Sequence, residues 1–164
     1  MTLINARRFE KPFSIEFEKS PLMGPSLNLE DFVQAAADAI IAAAADGKII
    51  LWNPAATRLF GFTAEEALGQ SLDLIIPERL RARHWEGYRQ VMATGHTKYG
   101  SEVLRVPAQH KDGKTLSIAF TGSLLDAPNG AGRIISAIIR DETTRWNEER
   151  ELRRRLAELE QRTQ

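Results

Sequence analysis

Cysteine is absent from all 164 residues, which removes several chemistries together. The chain can form no disulfide, no thiolate metal site, no thiolate haem ligand and no cysteinyl adduct to a flavin or other chromophore. Net charge is missing too: 22 basic side chains balance 22 acidic ones, so the overall electrostatic footprint of a dedicated nucleic-acid binder is lacking. Long apolar runs are scarce. The longest, residues 35–45, is interrupted by Asp38 and falls well short of the ~20 residues that cross a bilayer. The N-terminal stretch MTLINARRFEKPFSIEFEKSP mixes both charges and has no continuous apolar segment before a small-residue cleavage site. No secretory signal or membrane association is read there, and a cytoplasmic location is expected. Ser-His-Asp spacing, HExxH and a phosphate-cradling glycine loop are all absent, so any catalysis would have to come from a cofactor.

What is present suits one packed domain. Hydrophobic residues at 43% and charged residues at 27% lie near soluble averages and argue against whole-chain disorder. The length accommodates one domain of ~100–150 residues with flanking segments.

Residues 1–27 read as an extension, with alternating Phe13, Ile15 and Phe17 followed by a Pro/Gly-rich stretch. A helix is expected over 29–39, with Glu30 and Asp31 suited to its first turn. Residues 39–45 and 48–52 flank Asp46-Gly47 as an antiparallel hairpin. After Asn53-Pro54 a short helix runs to Phe60 and ends at Gly61. Thr63 and Glu66 have capping-box spacing for a second short helix ending before Gly69. The longest internal helix is expected over 78–94, where Leu80, His84, Tyr88 and Val91 recur at helical spacing. Three strands, 98–108, 115–126 and 134–140, follow as a meander with turns at Asp112-Gly113 and at residues 127–130. Residues 142–164 form a helix carrying Leu152, Leu156 and Leu159 at four-and-three spacing. Phe32, Phe60, Phe62 and Ile118 are candidate core residues, with cavity lining as a second role.

This order of elements resembles the PAS fold, an α+β fold whose five-stranded antiparallel sheet encloses a cavity with short helices and one long helix. Four phrases carry the likeness. Residues 46–56, Asp46-Gly47 through Asn53-Pro54-Ala55-Ala56, look like the second strand and its exit. Residues 59–69 look like the short helices. His110-Lys111-Asp112-Gly113 resembles the hairpin between the third and fourth strands, and Asp141-Glu142-Thr143 the D-x-T handover to a connecting helix. The resemblance implies a domain over 28–141, a C-terminal helix over 142–164, and ligand or redox sensing or dimerisation transmitted through that helix. Asp141 can tie the domain to the helix, cap the helix, or do both.

Pro77, Arg81 and His84 are further similar to the haem-binding subgroup of oxygen-sensor kinases and phosphodiesterases. There a proline, an arginine and a histidine at this spacing supply the proximal ligand of haem b. The resemblance makes His84 the iron ligand. Neutral imidazole suits that role. On the distal side the subgroup uses an arginine or methionine; Leu104 stands at the matching place, and a slip of one residue would substitute Arg105. Phe120 and Gly122 correspond to two apolar residues covering the distal face, Gly122 leaving extra room. Two departures stand out: Gly87 occupies the place of a usual tyrosine, with Tyr88 one later, and Trp85 is bulky beside the proposed ligand. Arg81, Arg83, Arg89 and Arg105 could neutralise propionates or simply be solvated. His96 and His110 read as surface residues.

Three functions stay open. The first is a haem sensor responding to a diatomic gas or redox change. The second is a cofactor-free PAS module that dimerises and holds a small apolar metabolite. The third is a haem enzyme acting on an organic substrate in a roomy pocket. A sensor or binding module is expected ahead of an enzyme. A homodimer through the C-terminal helix and a separate effector are the expected partners. A photoactive flavin site is disfavoured, because its cysteine and asparagine-rich phrase are missing.

Overall fold

The computed structural model describes residues 27–96 and 102–162. The extension expected over 1–27 lies almost wholly outside the described residues, as does the beginning of the strand expected from residue 98. Five strands, β1 (Ala39–Ala44), β2 (Ile49–Trp52), β3 (Leu104–Gln109), β4 (Thr115–Asp126) and β5 (Arg133–Asp141), form one antiparallel sheet in the order β2-β1-β5-β4-β3. The helices are α1 (Leu29–Ala35), α2 (Pro54–Phe60), α3 (Ala64–Ala67), α4 (Glu78–Thr94) and α5 (Thr143–Arg162). Both expected units, hairpin and meander, are present. Pairing of β1 with β5 joins them and puts the last strand, β5, at the centre of the sheet.

Local chemistry explains the turns. Asp46 Oδ1 accepts from Lys48 N at 3.1 Å, and Gly47 takes φ 80°, a left-handed conformation that glycine adopts without penalty. Gly47 is also required sterically, since a Cβ there would lie 2.2 Å from the Trp85 ring of α4. The capping box of α3 forms as its spacing requires: Thr63 N donates to Glu66 Oε2 and Glu66 N donates to Thr63 Oγ1.

Strand alternation divides the sheet into two faces. Ala39, Ile41 and Ala43 of β1, Ile118 of β4 and Ile139 of β5 point inward and are buried with Trp52, Phe60 and Tyr88. On the outward side of β5, Ile138 is half exposed. Phe60 and Ile118 take the core positions expected of them, and Phe62 packs against the core edge. Phe32 does not: it is 59% exposed. Leu29 and Val33, one turn apart, are partly buried, and one residue of helix rotates Phe32 about 100° away from Val33, into solvent.

Asn53 knits the helical layer to the sheet. Its Oδ1 accepts from Ile40 N of β1 and Ala56 N of α2, both at 2.9 Å, while its Nδ2 donates to Val33 O and Asp38 O, both at 3.1 Å. Only 1% of the residue is exposed, and both amide protons and the oxygen are used. This bonding also explains why α1 stops at Ala35 and not at residue 39. The Asn53 amide takes the Val33 and Asp38 carbonyls, and the chain is extended at Ala36 before β1 begins.

Replacing Asn53 by alanine orphans two amides and two carbonyls in the interior. A loss of about 2–4 kcal/mol is expected, read as a fall in Tm of about 10 °C. Asn53→Asp keeps the acceptor of the α2 cap but cannot donate to Val33 O or Asp38 O, so it should recover little of the loss. Thermal and urea denaturation of the three proteins measure this, and a variant as stable as the parent would show the hub to be dispensable.

Candidate functional site

His84 sits in the middle of α4, in a row with Trp85 and Tyr88. The three rings contact one another, with centroids 5.0 Å (His84–Trp85), 5.7 Å (His84–Tyr88) and 5.3 Å (Trp85–Tyr88) apart. Two of them have their polar hydrogens committed. Trp85 Nε1 donates to Asp73 Oδ1 at 2.8 Å, and Tyr88 Oη donates to Ala44 O at 2.6 Å. His84 differs: its Nε2 is buried and has no hydrogen-bond partner among the described residues. Burial lowers the pKa of this imidazole below the ordinary 6.5, against a weaker upward pull from the Asp73 carboxylate, so the ring is held in the neutral form that can donate a lone pair.

The sheet has one inward face, and strand register decides which residues belong to it. Leu104 pairs with Phe120, and Phe120 in turn with Ile139; Gly122 pairs with Ala137. Because Ile139 and Ile118 are core residues, Leu104, Phe120 and Gly122 share the inward face. Arg105 is on the other one. Its side chain is exposed and its Nε forms an ion pair with Glu142 Oε2 at 2.9 Å. Alternation thus leaves Leu104 on the inward face and turns the next side chain, Arg105, outward. At Gly122 a Cβ would meet nothing nearer than Ser136 O at 3.7 Å and Phe120 Cε2 at 4.0 Å. A methyl group there would make ordinary van der Waals contact, so the glycine is not a response to crowding.

The other basic residues separate similarly. Arg81 donates to Ile76 O and Asp73 O and pairs with the Asp73 carboxylate at 3.6 Å, whereas Arg83 and Arg89 are exposed and form no ion pair among the described residues. His96 is exposed, with Nδ1 2.9 Å from Thr94 O. His110 is half-buried: it covers Gly61 and lies 2.8 Å from Asp112 Oδ1. No group of three or more metal-ligating side chains occurs among the described residues. A haem iron needs only one or two protein ligands, since the macrocycle supplies the rest. The neutral Nε2 of His84, buried and without a partner among the described residues, fits that requirement.

A second concavity lies elsewhere. A groove of about 380 Å³ between the segment before β1, α2 and the end of β5 is lined by Asp38, Arg58, Leu59, Ile139 and Arg140, and His84 is not part of it. An Arg140–Asp38 ion pair at 2.9 Å crosses its rim. Its lining, which also includes Asp141, brings together two arginines and two aspartates; the His84 region differs in holding a buried side-chain nitrogen without a partner among the described residues.

Where the domain meets α5, Asp141 Oδ1 accepts from Thr143 N at 2.8 Å and caps the helix. The tie to the sheet comes from the two following residues: Glu142 N donates to Ser117 O at 2.8 Å, and Thr143 Oγ1 accepts from Ser117 N at 3.0 Å. Ser117 of β4 thus holds the start of α5 by both of its backbone groups. Neither Ser117 nor Asp73 is distinguished in the sequence, because each acts through partners brought near only by folding.

Comparison with known proteins agrees with this architecture. A family model for the PAS fold matches residues 27–141. An uncharacterised protein of Azorhizobium caulinodans is 33% identical over 118 residues, covering 71% of this chain and 16% of its own length. The oxygen sensor protein DosP of Escherichia coli is 30% identical over 80 residues, 49% of this chain and 10% of its own. The sensor protein FixL of Bradyrhizobium diazoefficiens is 28% identical over 133 residues, 81% and 25% respectively. The chain thus spans at most a quarter of the length of these relatives. A solved PAS domain from Colwellia psychrerythraea superposes with a TM-score of 0.60 at 22% identity, covering 71% of this chain and 95% of that one. With the family match extending from the start of α1 to the end of β5, the chain belongs to the PAS family.

Proposed function

We propose that this PAS sensor domain binds haem b through His84 and reports a change at the iron, of ligand or of redox state, through α5. The observation that carries the reading is the buried His84 Nε2, which has no partner although the polar hydrogens of Trp85 and Tyr88 beside it do. The distant similarity to the oxygen sensor protein DosP supports it. When bound, haem supplies an iron centre that takes a small ligand or changes oxidation state. His84 would hold the iron, and Leu104, Phe120 and Gly122 would cover the other side. Arg83 and Arg89, exposed on the same helix, are free to meet propionates.

Output is assigned to α5. Leu152 and Leu156 are 64% and 58% exposed there, while ion pairs such as Arg145–Glu149 and Arg155–Glu151 run along the helix. A second copy of the helix would cover the leucines as in a short coiled coil. A separate effector completes the proposed sensor, with no nucleic acid or membrane involved. Among the described residues no helix is long and apolar enough to cross a membrane.

Three measurements test this reading. Haem added to the purified chain should give a Soret band distinct from that of free haem, and His84→Ala should abolish or shift it; no band in either protein would end the proposal. In the haem-free protein, the depressed His84 pKa means that the unfolded chain binds a proton as pH falls through about 6.5 while the folded chain does not. Stability should therefore be complete above that pH and fall below it, until His84 protonates in the fold. His84→Gln should flatten the fall of the denaturation midpoint below pH 6.5, and an unchanged profile would remove His84 as its cause. Sedimentation should show a dimer that Leu152→Glu with Leu156→Glu converts to monomer; an unaltered dimer would place the interface elsewhere.

A further inference from the structure

The groove between α2 and the end of β5 takes no part in the site around His84, and its chemistry is of another kind. It measures about 380 Å³, within the ~300–1,000 Å³ that small-molecule sites occupy. Part of its lining is apolar: Ala39, Ala55 and Ile139 are buried there, and Leu59 is partly buried. The rest carries charge, from Asp38, Arg58, Arg140 and Asp141, and the two signs balance. Arg140 and Asp38 neutralise each other, with Arg140 Nε donating to Asp38 Oδ2 at 2.9 Å. The other two charges are left over. The Arg58 guanidinium, exposed on α2, has no hydrogen bond or ion pair among the described residues. Asp141 commits Oδ1 to Thr143 N, which leaves its second carboxylate oxygen without a partner among the described residues.

We propose that this groove is a second ligand site, for a small apolar zwitterion of the size of an α-amino acid. A balanced lining sets up no net field to draw in a simple anion or cation. A plain carboxylate would meet Arg58 but lie near the like charge of Asp141, and a plain amine would have the reverse difficulty. A zwitterion satisfies both. Its carboxylate takes the planar fork of the Arg58 guanidinium, which matches two oxygens at once. Its ammonium, with three donors, takes the second oxygen of Asp141. Arg58 and Asp141 form no ion pair with each other, so both remain available, and the Arg140–Asp38 pair stays intact beside them. An apolar side chain then covers Ala55, Leu59 and Ile139, which adds burial to charge recognition. Exposed charge pairs contribute little in water, so the affinity is modest. The site is independent of haem, because His84 is not part of the groove. It also has a route to output: Asp141 caps α5, so an occupant is held by the residue that starts the helix leaving the domain.

The test titrates the full chain, isotope-labelled and as purified, with leucine while its amide resonances are followed by NMR. Leucine should shift the amides of Asp38, Arg58, Leu59, Arg140 and Asp141 saturably. Isocaproate, which is leucine without the ammonium, and isopentylamine, which is leucine without the carboxylate, should each bind about fivefold more weakly, the upper worth of one exposed charge pair. Arg58→Gln and Asp141→Asn should each weaken leucine by a similar factor. Asparagine keeps an acceptor for Thr143 N, so α5 stays capped. The Arg58 guanidinium makes no bond within the fold, so Arg58→Gln should leave Tm unchanged, and its result stands even if the Asp141 variant loosens the helix. His84→Ala should leave leucine binding as it is. No saturable shift with leucine overturns the proposal, as does equal binding of either analogue or leucine binding unchanged by Arg58→Gln. A leucine response that disappears in His84→Ala places the ligand in the other site and also overturns it, while leaving the haem reading to its own spectrum.

Discussion

The four hydrogen bonds of Asn53 are the constraint on which the remaining architecture depends. One side chain with 1% exposure reaches α1, the segment before β1, β1 itself and the first turn of α2. Buried amides are tolerated only when fully satisfied, and satisfying this one requires all four elements to be in place together. The hub makes the helical layer and the sheet interdependent. The consequences run outward: with β1 fixed, its pairing to β5 sets the centre of the sheet, and β5 sets β4 and then β3.

Alternation along β3 and β4 then separates two roles. Leu104 and Phe120 face the interior, while the adjacent Arg105 and Ser117 face the start of α5, one by an ion pair to Glu142 and the other through its backbone groups. Both strands therefore bond directly to residues 142–143. Exposed ion pairs contribute little to stability, so the Arg105–Glu142 contact can be broken and remade cheaply. The two backbone bonds at Ser117 are what keep the helix registered to the strand.

Much of this was legible in the sequence, for identifiable reasons. Asp46-Gly47, the Thr63–Glu66 box and the helix over 78–94 depend on chemistry within a few residues of one another, and each appears where the spacing places it. His84 was legible as a chemical group, but its lack of a partner was not, because partnership is a property of the folded interior. The long-range half of Asn53's bonding was hidden for the same reason; Asn53-Pro54 shows only the cap. Phe32 misled because an aromatic residue at helical spacing signals a buried face only if something packs against it, and α1 has no buried residue. Sequence could not decide between Leu104 and Arg105, since a single residue of register reverses the face and only the pairing with Phe120 and Ala119 fixes it.

The environment of α4 sharpens what His84 means. Trp85 and Tyr88 are polar-tipped rings in the same row, and the fold finds an acceptor for each, a carboxylate on one side and a strand carbonyl on the other. The third ring has none at Nε2, and an unsatisfied buried nitrogen costs about 1–3 kcal/mol. Packing alone gives no reason to retain that cost, because an apolar residue of similar volume at position 84 would fill the space without it. The imidazole is also kept neutral by the same burial that leaves it unpaired, so the group is unpartnered in the very form that can bind a metal. Stability would favour changing this atom, and coordination chemistry would favour keeping it, which is why the functional reading rests on His84 and not on the groove beside Arg58 and Arg140.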